Sequence, residues 1–463
     1  MHYQHRKGEA GMESMTDKKK TSSGSPAGKG QAWDQAEDYS RIPGTAVKPY
    51  WSAAAAVPVI SLDGPWEVKH TDSLEKEIGS VIQTGWRQID IPSDMNAHRD
   101  SDFTGKYVYR RLIEVPKLVR GSHIVLKFEG VNGFAQVWID GRAAASHKNG
   151  FVSWSADITE LVEGRKEAYL YVTVDETADR VCSFNHGGIL HSVFMYCLPE
   201  AWLDGVYLTT SFENGYEDAV LRADVTICGQ KTGDELLFKV YPPDGIQEYE
   251  LQISTQGGER GHSTAVINMK NPLKWDAEHP WLYRLEISLI RDGQVLEKAG
   301  RFFGVRQIER RENRLYVNGQ EVKLRGVCRH EITPKNGRAV TKEIIDKDIS
   351  LFKEANCNYI RTSHYPPSEY FLEECDRRGM YVEDELDLAF IAKNLDYTQR
   401  DPAYTDRYLS VFAEVLARDY SHPSVLIWSL ANEAFGGYNY EIGRASCRKE
   451  CVSTCRSRWS PYH

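Results

Sequence analysis

The 463-residue sequence has no apolar run long enough to cross a membrane as a helix. It also has no secretory leader: MHYQHRKGEAGMESMTDKKKTSSGSPAGKGQ carries charge but lacks an apolar centre. This stretch reads as part of a disordered polar lead over residues 1–48, with Met12 and Met15 as alternative starts. Positive charge is in deficit, 57 Lys and Arg against 66 Asp and Glu. The net charge of −9 and pI near 5.9 offer no basic face for nucleic acid. Cysteine is thinly spread: none of the nine forms a CxxC pair before Cys447. That pattern predicts reduced thiols in a cytoplasmic protein with no membrane partner.

What is present suits several folded domains. Length gives a prior of about three. Apolar residues make up 41% and aromatics 11%, enough for sizeable cores. The 25 Tyr and 11 Trp fit sugar-stacking surfaces, but β-sandwich cores account for most of them.

Residues 49–210 read as β. Leu126–Val131 and Gln136–Gly141 alternate apolar and polar residues, Tyr169–Asp175 does so again, and Asp140-Gly141 signals a hairpin. Short strands between turns predict a β-sandwich of jelly-roll type. Phe184, Asn185 and His186 either edge a binding site or are ordinary loop residues. Residues 211–310 form a second β region, with LRADVTI, LLFKVY, YELQIS and LEISLI as strands and Asp292-Gly293 as a turn. An immunoglobulin-like sandwich without a disulfide staple fits this spacing.

Over residues 311–441 strands alternate with helices. Val322–Val327, Asn358–Ser363, Met380–Glu385 and Val425–Leu430 read as strands. Between them lie a helix at Thr341–Ala355, a helix at Ser368–Arg378 closed by Gly379, and a third after Asp401-Pro402 on which Leu409, Phe412 and Leu416 share a face. This is a parallel βα pattern. Each strand ends in polar residues: Arg329-His330-Glu331, Thr362-Ser363-His364, Asp384-Glu385 and Asn432-Glu433. Polar endings along one rim of a parallel barrel indicate a site, whereas any single one, Glu433 included, could be a rim salt bridge. A complete (β/α)8 barrel needs about 250 residues. This stretch holds the N-terminal half of one.

Residues 442–463 are basic and rich in cysteine, with no strand–helix rhythm. Cys447, Cys451 and Cys455 mimic a metal site, but no fourth ligand accompanies them. The ending CRSRWSPYH resembles translated sequencing-adapter read-through, so the tail is expected to be non-native.

Asn358–Pro366, continuing through Asp376, Gly379 and Met380–Val382, resembles a signature of glycoside hydrolase family 2. His422–Glu433 is similar to that family's acid/base segment, and Arg325–Glu331 to its first barrel strand. Leu62–Val68, Gly105–Arg111 and Asn271–Leu289 resemble its jelly-roll and immunoglobulin-like domains. The resemblance covers about Pro49 to Glu441. It implies a retaining exo-β-glycosidase, most readily β-galactosidase-like, with β-glucuronidase or another specificity of the family as the alternative.

The resemblance also implies roles. Glu433 would be the acid/base, with a raised pKa. Asn432 would bond the sugar 2-hydroxyl, and His330 and His364 would contact sugar hydroxyls. Arg361 would hold the site's carboxylates, or form a structural ion pair. Asp384 and Glu385 would orient the rim. The family nucleophile is a Glu on a later strand, and no residue here matches it. Where magnesium-using relatives carry Glu and His ligands, this sequence has Ala389 and Ile391, so no metal or other cofactor is expected. His191 replaces the usual Arg of the jelly-roll Gly-Ile-x-Arg stretch. The expected partner is a carbohydrate, and the family often forms dimers or tetramers. Without a nucleophile the chain itself should be inactive, and half a barrel should be poorly soluble. A non-catalytic carbohydrate-binding β-sandwich protein is the reading from another class.

Overall fold

The computed structural model describes residues 59–442, apart from 72, 74–77, 79–83, 98–104, 118–120, 179, 183–186, 247, 391–394 and 435, together with the backbone at Cys455–Arg456. Phe184, Asn185 and His186, and the tail cysteines Cys447 and Cys451, lie outside the described residues.

The first region is a two-sheet sandwich. One sheet has the strand order Arg87–Ile91, Gly64–His70, Lys106–Glu114, Glu167–Asp175, Phe134–Ile139, Arg142–His147. The other runs Val59–Ser61, Val193–Leu198, His123–Phe128, Trp154–Asp157. Alternation decides which side chains meet: Ala135, Val137 and Ile139 of one strand all turn inward. Trp66, Tyr109, Leu126 and Phe128 join them, and Phe128 stacks on Trp154 at 4.6 Å. Asp140 and Gly141 both have positive φ, the geometry of a tight hairpin between twisted strands.

The second region packs a three-stranded sheet (Trp202–Glu213, Asp218–Gln230, Gly258–Met269) on a four-stranded one. The latter is ordered Tyr249–Ser254, Glu235–Tyr241, Tyr283–Arg291, Gln294–Phe303. Asp292-Gly293 turns the last pair, again with both residues at positive φ. None of the six described cysteines is in a disulfide.

The third region is parallel. Its elements are β1 (Gly326–Arg329), α1 (Lys342–Glu354), β2 (Tyr359–Thr362), α2 (Glu369–Arg378), β3 (Tyr381–Glu385), α3 (Thr405–Asp419) and β4 (Val425–Ser429), with the strands in sequential order. Thr341 occupies the N-cap position of α1 in extended conformation, though its side chain makes no capping hydrogen bond to the helix, and Gly379 closes α2 at φ +72°. Every residue of β4 is buried, as a strand covered on both faces requires.

Two boundaries differ from the sequence reading. The first parallel strand begins at Gly326, not Val322, because Val322 pairs with Leu315 in an antiparallel meander of Ile308–Arg311, Arg314–Val317 and Gln320–Val322. Gly326 then passes so close to the Tyr359 carbonyl that a Cβ would not fit. In the tail, the backbone of Cys455–Arg456 pairs in parallel with Trp428–Ser429.

The sandwiches brace the parallel region. Lys127 pairs with Glu369 at the start of α2 at 3.1 Å, both side chains about 5% exposed. Burial works against the Glu369 charge, but Lys127, Arg418 and the Ser153 hydroxyl outweigh it and bring its pKa down to about 2. His147 meets Glu414 of α3 at 2.9 Å. From the second sandwich, Arg306 donates to the carbonyls of Pro423, His422 and Val425 at 2.6–3.0 Å, and Trp275 Nε1 donates to the Asp376 carbonyl at 2.8 Å. Helices α2 and α3 and the entrance of β4 are thereby fixed from outside.

Gly164 and Gly379 separate backbone strain from crowding. Both have φ +72°, but an added Cβ at Gly164 meets nothing, while at Gly379 it lies 2.3 Å from the Ala277 carbonyl oxygen. Gly164→Ala should cost about 1 kcal/mol. Gly379→Ala should cost at least about 1 kcal/mol more. Urea denaturation midpoints of the two variants check this; equal losses would show that the Ala277 contact yields freely.

Candidate active site

Two strand periods assemble the site. On β2 and β3, residues two apart share a face, so Tyr359 and Arg361 stand beside Glu383 and Glu385. Register places Ser429 of β4 opposite Glu385. Tyr359 donates to Glu383 in a short hydrogen bond.

Glu385 is the centre of this face. It is fully buried, and donors reach both its oxygens. Arg361 contributes Nε at 2.8 Å and one terminal nitrogen at 2.9 and 2.6 Å. His364 Nδ1 lies 2.7 Å from one oxygen, and the Ser429 hydroxyl donates to the other at 2.6 Å. Thr362 Oγ1 accepts the Glu385 amide at 2.9 Å. A buried carboxylate is tolerated only with this kind of satisfaction.

Arg361 extends the network by donating to Asn432 Oδ1 at 3.0 Å, and it stands 3.3 Å from His364 Nδ1. The Asn432 backbone is fixed on its other side, where its amide donates to the Leu388 carbonyl at 3.0 Å and its carbonyl accepts from Phe390 at 3.2 Å. His330, from the end of β1, meets the His364 ring edge-on at 4.9 Å. Partial burial, then the neighbouring His364, Arg338 and Arg361, hold the His330 pKa below the ordinary histidine value.

Thus the structure brings His330, Arg361, His364 and Asn432 together along one rim. Glu433 follows Asn432 at that rim, but its backbone is left-handed at φ +52° and its side chain is exposed. Among the described residues, no hydrogen bond or ion pair holds its carboxylate. Such a group is available to solvent and to a ligand.

Sequence reasoning gave Glu385 the role of orienting the rim without identifying its partners, and it passed over Ser429. The available signal was register: Glu383 and Glu385 two apart at a strand end, facing a Ser that an all-apolar strand has no packing reason to carry. At the proposed metal-ligand positions, Ala389 is fully buried and its backbone bridges to Asn432, while Ile391 lies outside the described residues. Among the described residues, no group of three or more acidic, His or Cys side chains could hold a metal ion.

Comparison with known proteins adds to this geometry. Residues 308–450 match the family model described as glycosyl hydrolases family 2, TIM barrel domain. Residues 88–186 match the glycosyl hydrolase 2 galactose-binding domain-like model, and residues 202–306 the glycosyl hydrolases family 2 model. A β-galactosidase of Kluyveromyces lactis is 29% identical over 84% of this chain and 42% of its own length. A putative β-glucuronidase of Formosa agariphila is 28% identical over 80% of this chain and 46% of its own. The structure of a Bacteroides uniformis β-glucuronidase superposes with a TM-score of 0.72 and 25% identity, over 81% of this chain and 46% of that one. The chain therefore spans less than half the length of these relatives.

Removing the Glu385 carboxylate should leave Arg361 half-buried without its counter-charge. Glu385→Ala is expected to cost about 3 kcal/mol or more. Ser429→Ala, which removes one donor to a charged acceptor, should cost about 1.5–3 kcal/mol. In the double variant the Ser429 loss should largely vanish. Urea denaturation of the four proteins measures this; strictly additive losses would rule out a shared network.

Proposed function

The chain belongs to glycosyl hydrolase family 2, and from that premise we propose that the complete protein is a retaining exo-β-glycosidase acting on terminal β-linked sugars, β-galactosides foremost. One observation carries the reading. Four polar side chains, His330 after β1, Arg361 and His364 of β2 and the loop after it, and Asn432 after β4, converge on one rim, where Glu433 follows Asn432 with an exposed carboxylate that no described residue holds.

In this mechanism Glu433 protonates the glycosidic oxygen as the bond breaks, then removes a proton from water in the second step. Asn432, oriented by Arg361, bonds the sugar 2-hydroxyl, an interaction that strengthens toward the oxocarbenium-like transition state. His330 and His364 hold other hydroxyls. Glu385 acts through Arg361 and His364, not on the sugar. The nucleophile is assigned to no described residue; it would stand about 5–5.5 Å from Glu433 across the scissile bond. The residues at 389 and 391 do not suit magnesium, so no step passes through a metal. Without a nucleophile the present chain is expected to be inert.

A second specificity has its own support in the likeness to β-glucuronidases. A glucuronide carboxylate needs a cation, so comparing nitrophenyl β-galactoside with nitrophenyl β-glucuronide in the complete protein separates the two.

The acid role makes a sharper forecast. Glu433→Gln in the complete protein should lower kcat about 10²–10⁴-fold. The loss should be larger for an alkyl glycoside, whose leaving group needs protonation, than for a nitrophenyl one. An equal loss on both substrates would remove Glu433 from the acid role.

A further inference from the structure

Asp384 is a strand-end acid that the site does not use. It lies between Glu383 and Glu385 on β3, so its side chain turns to the opposite face, which the helices cover. There it is fully buried, as is Asp419 at the last position of α3. The cation on hand is already committed. Arg418 contacts both Asp419 oxygens at 2.6 Å through Nε and Nη2; Nη2 also donates to the Pro367 carbonyl at 2.9 Å, and Nη1 donates to the Phe151 carbonyl at 2.7 Å. Glu369 of α2 also acts on that guanidinium. Three buried carboxyl groups, Asp419, Glu369 and Asp384, thus act on one guanidinium, and the C-terminal end of α3 adds negative potential.

The hydrogen bonds around Asp384 are incomplete for an anion. Thr362 Oγ1 stands 3.5 Å from Oδ1, at the limit of a hydrogen bond. Oδ2 is buried and receives no donor. An ionised carboxylate in that position would lose its water without replacement. A carboxylic acid reverses the requirement, because its O–H is itself a donor. The acid placed to accept from it is Asp419, which acts on the Asp384 carboxyl both through its charge and as a side-chain hydrogen-bond partner.

We propose that Asp384 and Asp419 share one proton, with Asp384 as neutral donor, and that this hydrogen bond pins the end of β3 to α3 and positions Glu385 and Arg361. The bond ties together the two elements that flank the rim from behind. Asp384 touches no reacting atom, so it is a positioning residue. Its part in hydrolysis rests on the glycosidase reading; the shared proton does not.

The sign of the pH effect follows. Burial first, then the Asp419 charge, holds the Asp384 carboxyl well above the usual carboxylate range. Asp384 is then protonated when folded and ionised when unfolded. Above the unfolded pKa, rising pH favours unfolding by up to tenfold per unit until the folded pKa is reached. Asparagine keeps the donor and cannot ionise. The folding equilibrium of Asp384→Asn relative to the native chain should therefore rise by up to about tenfold per pH unit above about pH 5, until the folded pKa is reached, read from urea denaturation. A ratio that stays flat with pH would overturn the proposal. Should the variant not fold, the native chain still decides: with 13C-labelled aspartate, the resonance assigned to the Asp384 carboxyl should remain at the protonated position at about pH 6, above the usual aspartate range, and its absence there would overturn the proposal. In the complete enzyme, Asp384→Ala should lower kcat/KM about tenfold or more, with most of it restored by Asp384→Asn. Equal loss in both variants would contradict the positioning role. A native enzyme that hydrolyses no glycoside would sink the glycosidase reading and leave the proton to the resonance test.

Discussion

The rim depends on one ion-dipole knot, the buried Glu385 carboxylate with Arg361, His364 and Ser429 around it. A fully buried carboxylate is costly unless every lone pair is met. Meeting them draws one side chain from β2, one from the loop after it and one from β4 into fixed positions. Arg361, once held by Glu385, presents its outer edge to Asn432. The geometry of the candidate ligand-facing groups is thus set by an acid that faces no ligand. Backbone conformation alone could not do this, because the loops after parallel strands have no ladder to hold them.

The same economy of rigid supports extends outward. The barrel strands are short, four or five residues, and their helices rest against the two sandwiches through buried polar contacts. Lys127 with Glu369, His147 with Glu414 and Arg306 with three carbonyls each anchor a helix or a strand entrance from a different domain. Satisfied polar contacts of this kind favour one docking geometry over others, since a slipped interface would strand a buried charge.

Much of this was legible in the sequence where local chemistry is decisive. Gly379 marks a helix end because only a left-handed residue closes it there. Asp140-Gly141 and Asp292-Gly293 mark hairpins for the same reason. The all-apolar Val425–Trp428 run announced a strand covered on both faces. The gathering of His330, His364 and Asn432 followed from the parallel pattern, since all lie at strand ends, whereas Arg361 was singled out by the family resemblance. What was not legible depends on register between strands. Nothing local distinguishes Val322 in a meander from Val327 in the barrel. Ser429 gains its meaning only when it stands opposite Glu385. Asp384 and Glu385 look alike in sequence, yet the strand period sends one toward the helices and the other into the polar face.

That divergence separates three acids by environment. Glu385 has its lone pairs filled by a guanidinium, an imidazole and a hydroxyl, so it has nothing left to give a substrate. Asp384 is placed where an ionised carboxylate finds no donor on Oδ2, which makes it a donor to a second acid. Glu433 stands at the exposed edge with its carboxylate free of either constraint. General acid catalysis requires a group that can both lose and regain a proton within reach of the substrate. Full pairing leaves the Glu385 oxygens engaged within the protein, and burial without a donor works against a charge on Asp384. Of Glu385, Asp384 and Glu433, Glu433 alone has an exposed carboxylate that no described residue holds, and the proposed assignment rests on that difference.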